Sequence, residues 1–347
     1  MDRSLIPLTH RPFNAETPLA ALTAALTPVE QFFVRSNFDV PSLAERTWRL
    51  DIDGALDQPR AFTLDDLRRL PVRDIAVTME CAGNGRALMQ PVPPGTPWQL
   101  GAVSTGMFTG VALRDVLSQC GVRADVVEIV CAGADHGDID GRDVRFERSL
   151  PLARALHPNT LLAWALNGAP LTPAHGYPVR LLVPGWYGVA SVKWLVRVTA
   201  AKSPFTGHFQ TERYIFRGDA QHADATPVTR TLVRSLIAEP ASSCVAIRGR
   251  AQVRGIAWSG FGAIRRVQLS FDGAVSWVDA VLTPPLSSCA ATAWHYLWEP
   301  RDAGDVEIIA RAEDEAGNVQ PLEPRWNEFG YANNVAHRVR VKLLAGS

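Results

Sequence analysis

Apolar and polar positions alternate in short runs along most of the chain, and few stretches carry the spacing of a helix face. Residues 17–26 set Leu19, Leu22 and Leu26 behind Thr17 and Pro18, the order of a cap, an N1 proline and a narrow apolar stripe, and Pro28 stops the run. Residues 48–52 alternate as a strand. Thr63 followed by Asp66 resembles a capping box that opens a short helix ending before Pro71. Residues 75–79 form a β-rich run that leads directly into Glu80, Cys81, Ala82, Gly83, Asn84, Gly85 and Arg86. Further along, the pattern predicts a helix over 111–120 closed by Gly121, a strand over 126–130 and a short helix over 150–156. Two strands, over 179–183 and 192–198, flank the turn from Pro184 to Gly188.

The texture changes after about residue 206. Residues 207–225 are polar and loop-like, with Asp219, His222 and Asp224. Beyond Pro227, short apolar runs recur at 244–248, 251–258, 263–271, 277–282, 306–312 and 336–343, with turns at Asp272-Gly273 and Ala316-Gly317-Asn318. Regular short strands without helices predict an immunoglobulin-like β-sandwich. The chain as a whole is expected to be α+β, with a mixed α/β domain over 1–220 and the sandwich over 221–347. Its 347 residues suffice for two cores.

Charge narrows the function. Lys and Arg number 35, as do Asp and Glu, so the basic excess needed to hold nucleic acid or an anionic membrane is missing. No apolar run approaches the ~20 residues of a membrane span. Residues 1–15 lack the apolar core of a signal peptide, and Asp2 stands where a positive charge would be. The expected location is the cytoplasm, or the periplasm if a leader has been removed. The five cysteines (Cys81, Cys120, Cys131, Cys244, Cys289) are odd in number and none is in C-x-x-C spacing. That argues against a zinc site, an iron–sulfur cluster, a haem attachment or a redox dithiol, so cysteine chemistry rests on one residue.

Cys81 is the strongest candidate. A lone cysteine is most often a small buried apolar residue, but the glycines and asparagine after it imply close backbone approach to a partner. Arg86 would favour a thiolate or an anionic substrate. His175, Arg180, Arg35 and the stretch from Ser191 to Trp194 are further candidates, each with a bland reading as a turn, core or solvated residue. A cysteine hydrolase built on Cys81 and His175 lacks an assignable orienting Asn or Asp. An adhesion protein built on the sandwich leaves residues 30–200 unexplained.

Taken together these residues form a series. Arg35, the Cys81–Asn84 turn, Trp98 ahead of Gly101 to Thr105, His175 with Gly176, Pro178 and Arg180, and Val192 to Leu195 resemble the signature of the sulfite oxidase family, which includes the molybdenum domain of plant-type nitrate reductases. Gly255, Ala257, Trp258, Ser259 and Gly260, then Asn318 to Pro321, Trp326-Asn327 and His337 to Val341, are similar to that family's C-terminal dimerisation domain. The resemblance covers nearly the whole chain in order. It implies a molybdenum-cofactor domain in which one pyranopterin dithiolene holds the metal and Cys81 is the protein ligand. Soft sulfur donors suit such a metal. The implied cofactor contacts are Phe33, Val34, Arg35, Ser36, Asn37, Cys81, Asp135, His175, Arg180, Ser191, Val192 and Lys193. Asn37 replaces a histidine of the animal enzymes, and Ser191 is likewise a substitution.

The resemblance also implies the reaction: two-electron oxygen-atom transfer on sulfite or a related small oxyanion or sulfur compound. Arg35 and Arg86 would guide the anion and Trp98 would wall the pocket. Electrons would leave to an external carrier, a cytochrome, since the chain holds no haem motif; the second domain implies a homodimer. Three positions depart from the pattern. The family's active-site tyrosine falls at Trp164, an arginine of sulfite oxidases at Phe329, and a basic position at Ala190. A pocket with fewer cations leaves open an alternative: the same cofactor and fold acting on a sulfoxide or N-oxide.

Overall fold

The computed structural model of the chain describes residues 5–240, 245–300 and 303–344. Residues 1–4, including Asp2, and Cys244 lie outside the described residues.

An N-terminal hairpin, Ile6–His10 with Phe13–Glu16, precedes two five-stranded sheets. In the first sheet Val72–Glu80 pairs antiparallel with Val103–Ala112, which pairs with Leu161–Leu166; Arg180–Leu182 and Ala169–Pro170 flank the last. The second sheet runs Arg60–Phe62, Leu50–Gly54, Leu195–Ala201, Glu128–Ile139, Arg142–Pro151, and its one parallel pairing joins Leu195–Ala201 to Leu50–Gly54. Val72–Glu80 alternates in burial at its start and is buried at every residue from Ala76 onward. That change marks where a half-covered strand passes into the middle of the molecule, carrying Cys81 with it.

The second unit is a sandwich. A four-stranded sheet (Arg234–Glu239, Ala251–Trp258, Thr292–Trp298, Val281–Thr283) faces a five-stranded one (Val245–Arg248, His337–Leu344, Gly304–Asp314, Ile264–Ser270, Val278–Asp279). Val253, Ala257 and Trp294 of one sheet pack on Val267, Ile308 and Val339 of the other. Asp272 closes the hairpin turn at Gly273 by accepting from Ser276 N–H at 2.9 Å, and Asp314 does the same for Asn318 N–H.

Several elements differ from expectation. Residues 17–26 form only a 3-10 turn, Leu19–Thr23, because Thr17 turns inward and donates to the Gln31 carbonyl at 2.8 Å instead of capping. Leu22 packs there on Leu236 and Ile256 of the sandwich. Residues up to 112 belong to a strand, leaving a helix of Leu113–Ser118 before Gly121, whose φ is +66°. Likewise a strand runs to Pro151 and shortens the expected helix to Leu152–Ala155. The hairpin Glu128–Ile139 with Arg142–Pro151 extends well past the expected strand, because its tip is charged and exposed and so lacks apolar alternation.

One tie between the two sheets of the sandwich titrates. His337 Nδ1 accepts from Ile237 N–H at 3.0 Å, and burial together with Arg234 pushes its pKa down to about 4. An unfolded histidine titrates near ~6.5. The neutral imidazole therefore contributes fully above that pH, and the contribution is lost as pH falls from ~6.5 toward the folded value. Thermal melts should lose about 2 kcal/mol across this window through this one residue. An H337Q variant, which keeps an acceptor without a titrating ring, should show a flatter acid limb. Equal acid sensitivity in parent and variant would count against this assignment.

Candidate active site

Cys81 stands just past the end of Val72–Glu80, in a turn closed by Asn84 N–H to the Cys81 carbonyl at 3.0 Å and Arg86 N–H to the Gly83 carbonyl at 3.0 Å. Its own N–H donates to the Ala102 carbonyl at 2.9 Å, and the Asn84 side chain accepts from Ala102 N–H. A Cβ on Gly83 would lie 2.8 Å from the Arg86 guanidinium, so only glycine lets that arginine fold back over the turn. Burial pushes the Cys81 thiol up, and Arg35 and Arg86 oppose the shift.

Two adjoining cavities share Cys81, Arg35, Asn37 and Tyr214 in their walls. The inner cleft is lined besides by Phe33, Ser36, Asp135, His175, Arg180, Ser191 and Lys193. The outer chamber, of about 380 Å³, is lined by Arg86, Trp98, Arg213, Phe329 and Tyr331. Most residues expected to hold a cofactor therefore gather in one cleft, and Arg35, Arg86 and Trp98, expected to meet substrate, line the next.

Local folding explains the arrangement. Phe33 and Arg35 face the cleft, whereas Val34 turns away and its backbone bridges Ala15. Ser191 and Lys193 face it, and Val192 between them is in the hydrophobic core. Val34 and Val192 are thus corrected: both side chains are buried in the core, and neither lines the cleft. Lys193 Nζ donates to Ser36 Oγ at 2.9 Å and to the Ala174 carbonyl at 2.8 Å. His175 donates from Nε2 to the Phe32 carbonyl at 3.1 Å, and its Nδ1 lies 2.8 Å from Thr172 Oγ1, which can donate to a neutral ring. Arg180 donates to the carbonyls of His175 and Ser191 at 3.0 and 3.1 Å.

The cleft is electrostatically expensive. Burial holds His175 down to about 4 and Arg180 down to about 10, and it keeps Lys193 well below the ordinary lysine range. Burial drives Asp135 upward against the pull of Lys193. Asp135 Oδ1 and Arg180 Nε are buried with no hydrogen-bond partner, as is Trp98 Nε1 on the outer side. Orphaned polar atoms of both signs around one cleft are satisfied by a bound group with donors, acceptors and anionic charge. A Cβ at Gly133 would sit 2.4 Å from Asp135 Oδ1, so the glycine leaves that carboxylate its place. The residues present fit a phosphate-bearing pterin.

Trp164 needs correction. It lies half-buried on the strand Leu161–Leu166 against the main core and lines neither cavity. Two phenols stand at the site, and the one that lines both cavities is Tyr214, whose hydroxyl lies 3.2 Å from Arg35 Nη2 and 3.2 Å from Asn37 Oδ1. Sequence reasoning missed it because it falls in the polar stretch read as a loop. Ala190 is buried and reaches neither cavity. Phe329 does line the outer chamber, with the guanidiniums of Arg213 and Arg217 over its ring at 5.3 and 5.4 Å.

Comparison with known proteins places both domains in a family. Residues 37–209 match the oxidoreductase molybdopterin binding domain, and residues 226–344 match the Mo-co oxidoreductase dimerisation domain. Mitochondrial sulfite oxidase of Mus musculus is 36% identical over 97% of this chain and 65% of its own length. The chain thus spans 65% of that relative. Sulfite oxidase of Arabidopsis thaliana is 31% identical over 96% of this chain and 92% of its own length. The crystal structure of the sulfane dehydrogenase SoxCD from Paracoccus pantotrophus superposes with a TM-score of 0.84 at 29% identity, covering 95% of this chain and 84% of that one. Among the described residues no helix is long and apolar enough to cross a membrane. The expected cytoplasmic or periplasmic location is corrected, since it rested on the first fifteen residues alone, while the mouse, rat, macaque, human and fly relatives carry the name mitochondrial. With both domain matches in order and relatives above 30% identity along nearly its whole length, the chain belongs to the sulfite oxidase family of molybdopterin oxidoreductases.

Proposed function

We propose that the chain oxidises a small anionic sulfur compound, sulfite or a sulfane sulfur, by oxygen-atom transfer in the outer chamber beside Cys81. One observation carries this reading: Cys81 lines both cavities, with the cofactor-type donors on one side and the guanidiniums of Arg35, Arg86 and Arg213 on the other. Ser36, Asp135, His175, Arg180 and Lys193 would hold the molybdopterin, and Cys81 would be its protein ligand. When bound, that group supplies the metal at which an oxygen atom and two electrons are exchanged. The chain's own residues do the rest. Arg35 draws the anion toward the sulfur at the junction, and Tyr214 offers a phenolic proton beside it. Arg86 is held over the turn by donating from Nε to the Phe329 carbonyl and from Nη1 to the Thr96 carbonyl, both at 2.9 Å.

Arg213 restores a cation that the sequence counted as lost. It is exposed, makes no ion pair among the described residues, and lies over Phe329 facing the chamber. This relocation, together with the position of Trp164 outside the site, removes most of the ground for an uncharged substrate. The likeness to a sulfane dehydrogenase supports widening the class from sulfite to sulfane sulfur. Replacing Arg213 with alanine should raise KM for sulfite about 10-fold at low salt, with kcat within about 2-fold, since a charge-assisted hydrogen bond is worth ~1.5–3 kcal/mol. The difference should shrink as ionic strength rises. To test the reading itself, oxidised holoenzyme is mixed with sulfite or thiosulfate, dithionite-reduced holoenzyme is mixed with dimethyl sulfoxide, and the cofactor spectrum is followed. Reduction by either sulfur anion supports it, and turnover of dimethyl sulfoxide alone would overturn it.

Three further points belong to this proposal. Electrons leave singly to a separate carrier, of cytochrome type. The sandwich pairs two copies of the chain, as the match to a dimerisation domain supports. The domains divide at 220/221, between the last helix of the first, His208–Thr211, and the first strand of the sandwich, Arg234–Glu239.

A further inference from the structure

The turn that carries Cys81 is gripped by the other domain. Glu80, the residue before it, turns into the seam between domains, where Oε1 accepts from Arg234 Nη1 at 2.6 Å and from Asn84 Nδ2 at 3.1 Å. Its Oε2 accepts from Trp258 Nε1 at 2.9 Å. Arg234 and Trp258 belong to adjacent strands of the sandwich, and the side chains of Glu80 and Arg234 are each only 2% exposed. Arg234 Nη1 also donates to the Asn84 carbonyl at 3.2 Å. Asn333 Nδ2 donates to the Gly85 carbonyl at 2.8 Å, and Ala332 N–H donates to the Ala82 carbonyl at 2.8 Å. Gly85 has φ +86°, and a Cβ there would press on both Arg234 and Asn333 at 3.0 and 3.1 Å. The first domain holds the other side of the turn, through the pairing of Glu80 with Val103, the Cys81 N–H to the Ala102 carbonyl and the bond from Ala102 N–H to Asn84.

We propose that Glu80, Arg234 and Trp258 are positioning residues that fix the Cys81 sulfur at the junction of the two cavities, so that the sandwich is part of the active-site frame as well as a pairing surface. The proposal rests on the reading of Cys81 as the metal's ligand. A buried ion pair is an unusual way to join two domains, because desolvation offsets much of its attraction. What it supplies is direction: the carboxylate has its acceptor sites filled from three side chains, which leaves the strand end one orientation. Both charges stand outside the cavities, so neither touches a group bound there.

The test uses molybdenum-loaded enzyme and four variants: E80Q, R234M, the double E80Q/R234M, and W258F. Each is measured for molybdenum content, melting temperature, the Mo(V) electron paramagnetic resonance spectrum, kcat and KM. The single charge variants leave an unpaired buried charge and should melt lower than the parent. The double variant removes both charges and should regain most of that melting temperature. If the pair only holds the domains together, the double variant also regains the parent spectrum and kcat, and that result would overturn the proposal. The expected result is a double variant that is stable and metal-loaded, with shifted Mo(V) g-values and kcat about 10- to 100-fold down at a KM within about 2-fold. W258F removes a single donor and should shift the spectrum in the same direction by less. Should the charge variants not fold, a W258F spectrum identical to the parent's would overturn the proposal. A parent enzyme that binds no molybdenum would instead overturn the underlying reading of Cys81.

Discussion

Replacing Cys81 with serine should lower turnover by about 1000-fold or more, equivalent to ~4 kcal/mol of barrier, while leaving the fold in place. The size follows from position. The residue is 5% exposed and lines both cavities, and among the described residues no other thiol lines either one. Serine is a hard oxygen donor where a soft, strongly donating sulfur is called for. Its hydroxyl fits the same volume and costs about 1–3 kcal/mol as a buried polar group, which a chain with two packed cores tolerates. Circular dichroism and a thermal melt should therefore resemble the parent's, and only activity should fall. A C81S enzyme retaining more than a tenth of parental kcat would contradict the assignment.

The second large effect concerns Arg35. Its Nη2 donates to Asn37 Oδ1 at 2.5 Å and to the Tyr214 hydroxyl at 3.2 Å, and its Nη1 reaches Asn14 Oδ1 at 3.2 Å. The guanidinium thus tethers the phenol and the amide that share its wall. An R35Q variant should lose about 100-fold or more in kcat/KM for sulfite. The larger part of that free energy comes from the missing charge-assisted bond to the anion, ~1.5–3 kcal/mol. The rest comes from the release of Tyr214. The two parts separate in a cycle with Y214F: the double variant should fall well short of the product of the single effects, because the groups act as a unit. Full multiplicativity would show that they act independently.

What the sequence could and could not show follows from how far each signal travels along the chain. The strand leading into a glycine-rich turn at Cys81 was legible because both parts are local. So were the turns at Asp272 and Asp314, whose side chains bond their own loops. The resemblance picks out residues 33–37 and 191–193 as segments but not which side chains face the cleft, so Val34 and Val192 are counted with their neighbours. The resemblance sets the family's tyrosine at Trp164, on a strand that packs against the core, whereas Tyr214 sits in a polar stretch that offers no periodicity. Arg213 escaped for the same reason. The bonds from Arg234, Trp258 and Asn333 to the Cys81 turn span more than 140 residues of chain, and pairing at that distance leaves no trace in a single sequence.

The central claim is that the sulfur at position 81 bonds the metal. X-ray absorption at the molybdenum K-edge, on parent enzyme and on C81S loaded in the same host, tests it without reference to substrate. The account predicts one sulfur neighbour fewer around the metal in the variant, with an oxygen or nitrogen neighbour gained. Identical sulfur shells in the two proteins would contradict it.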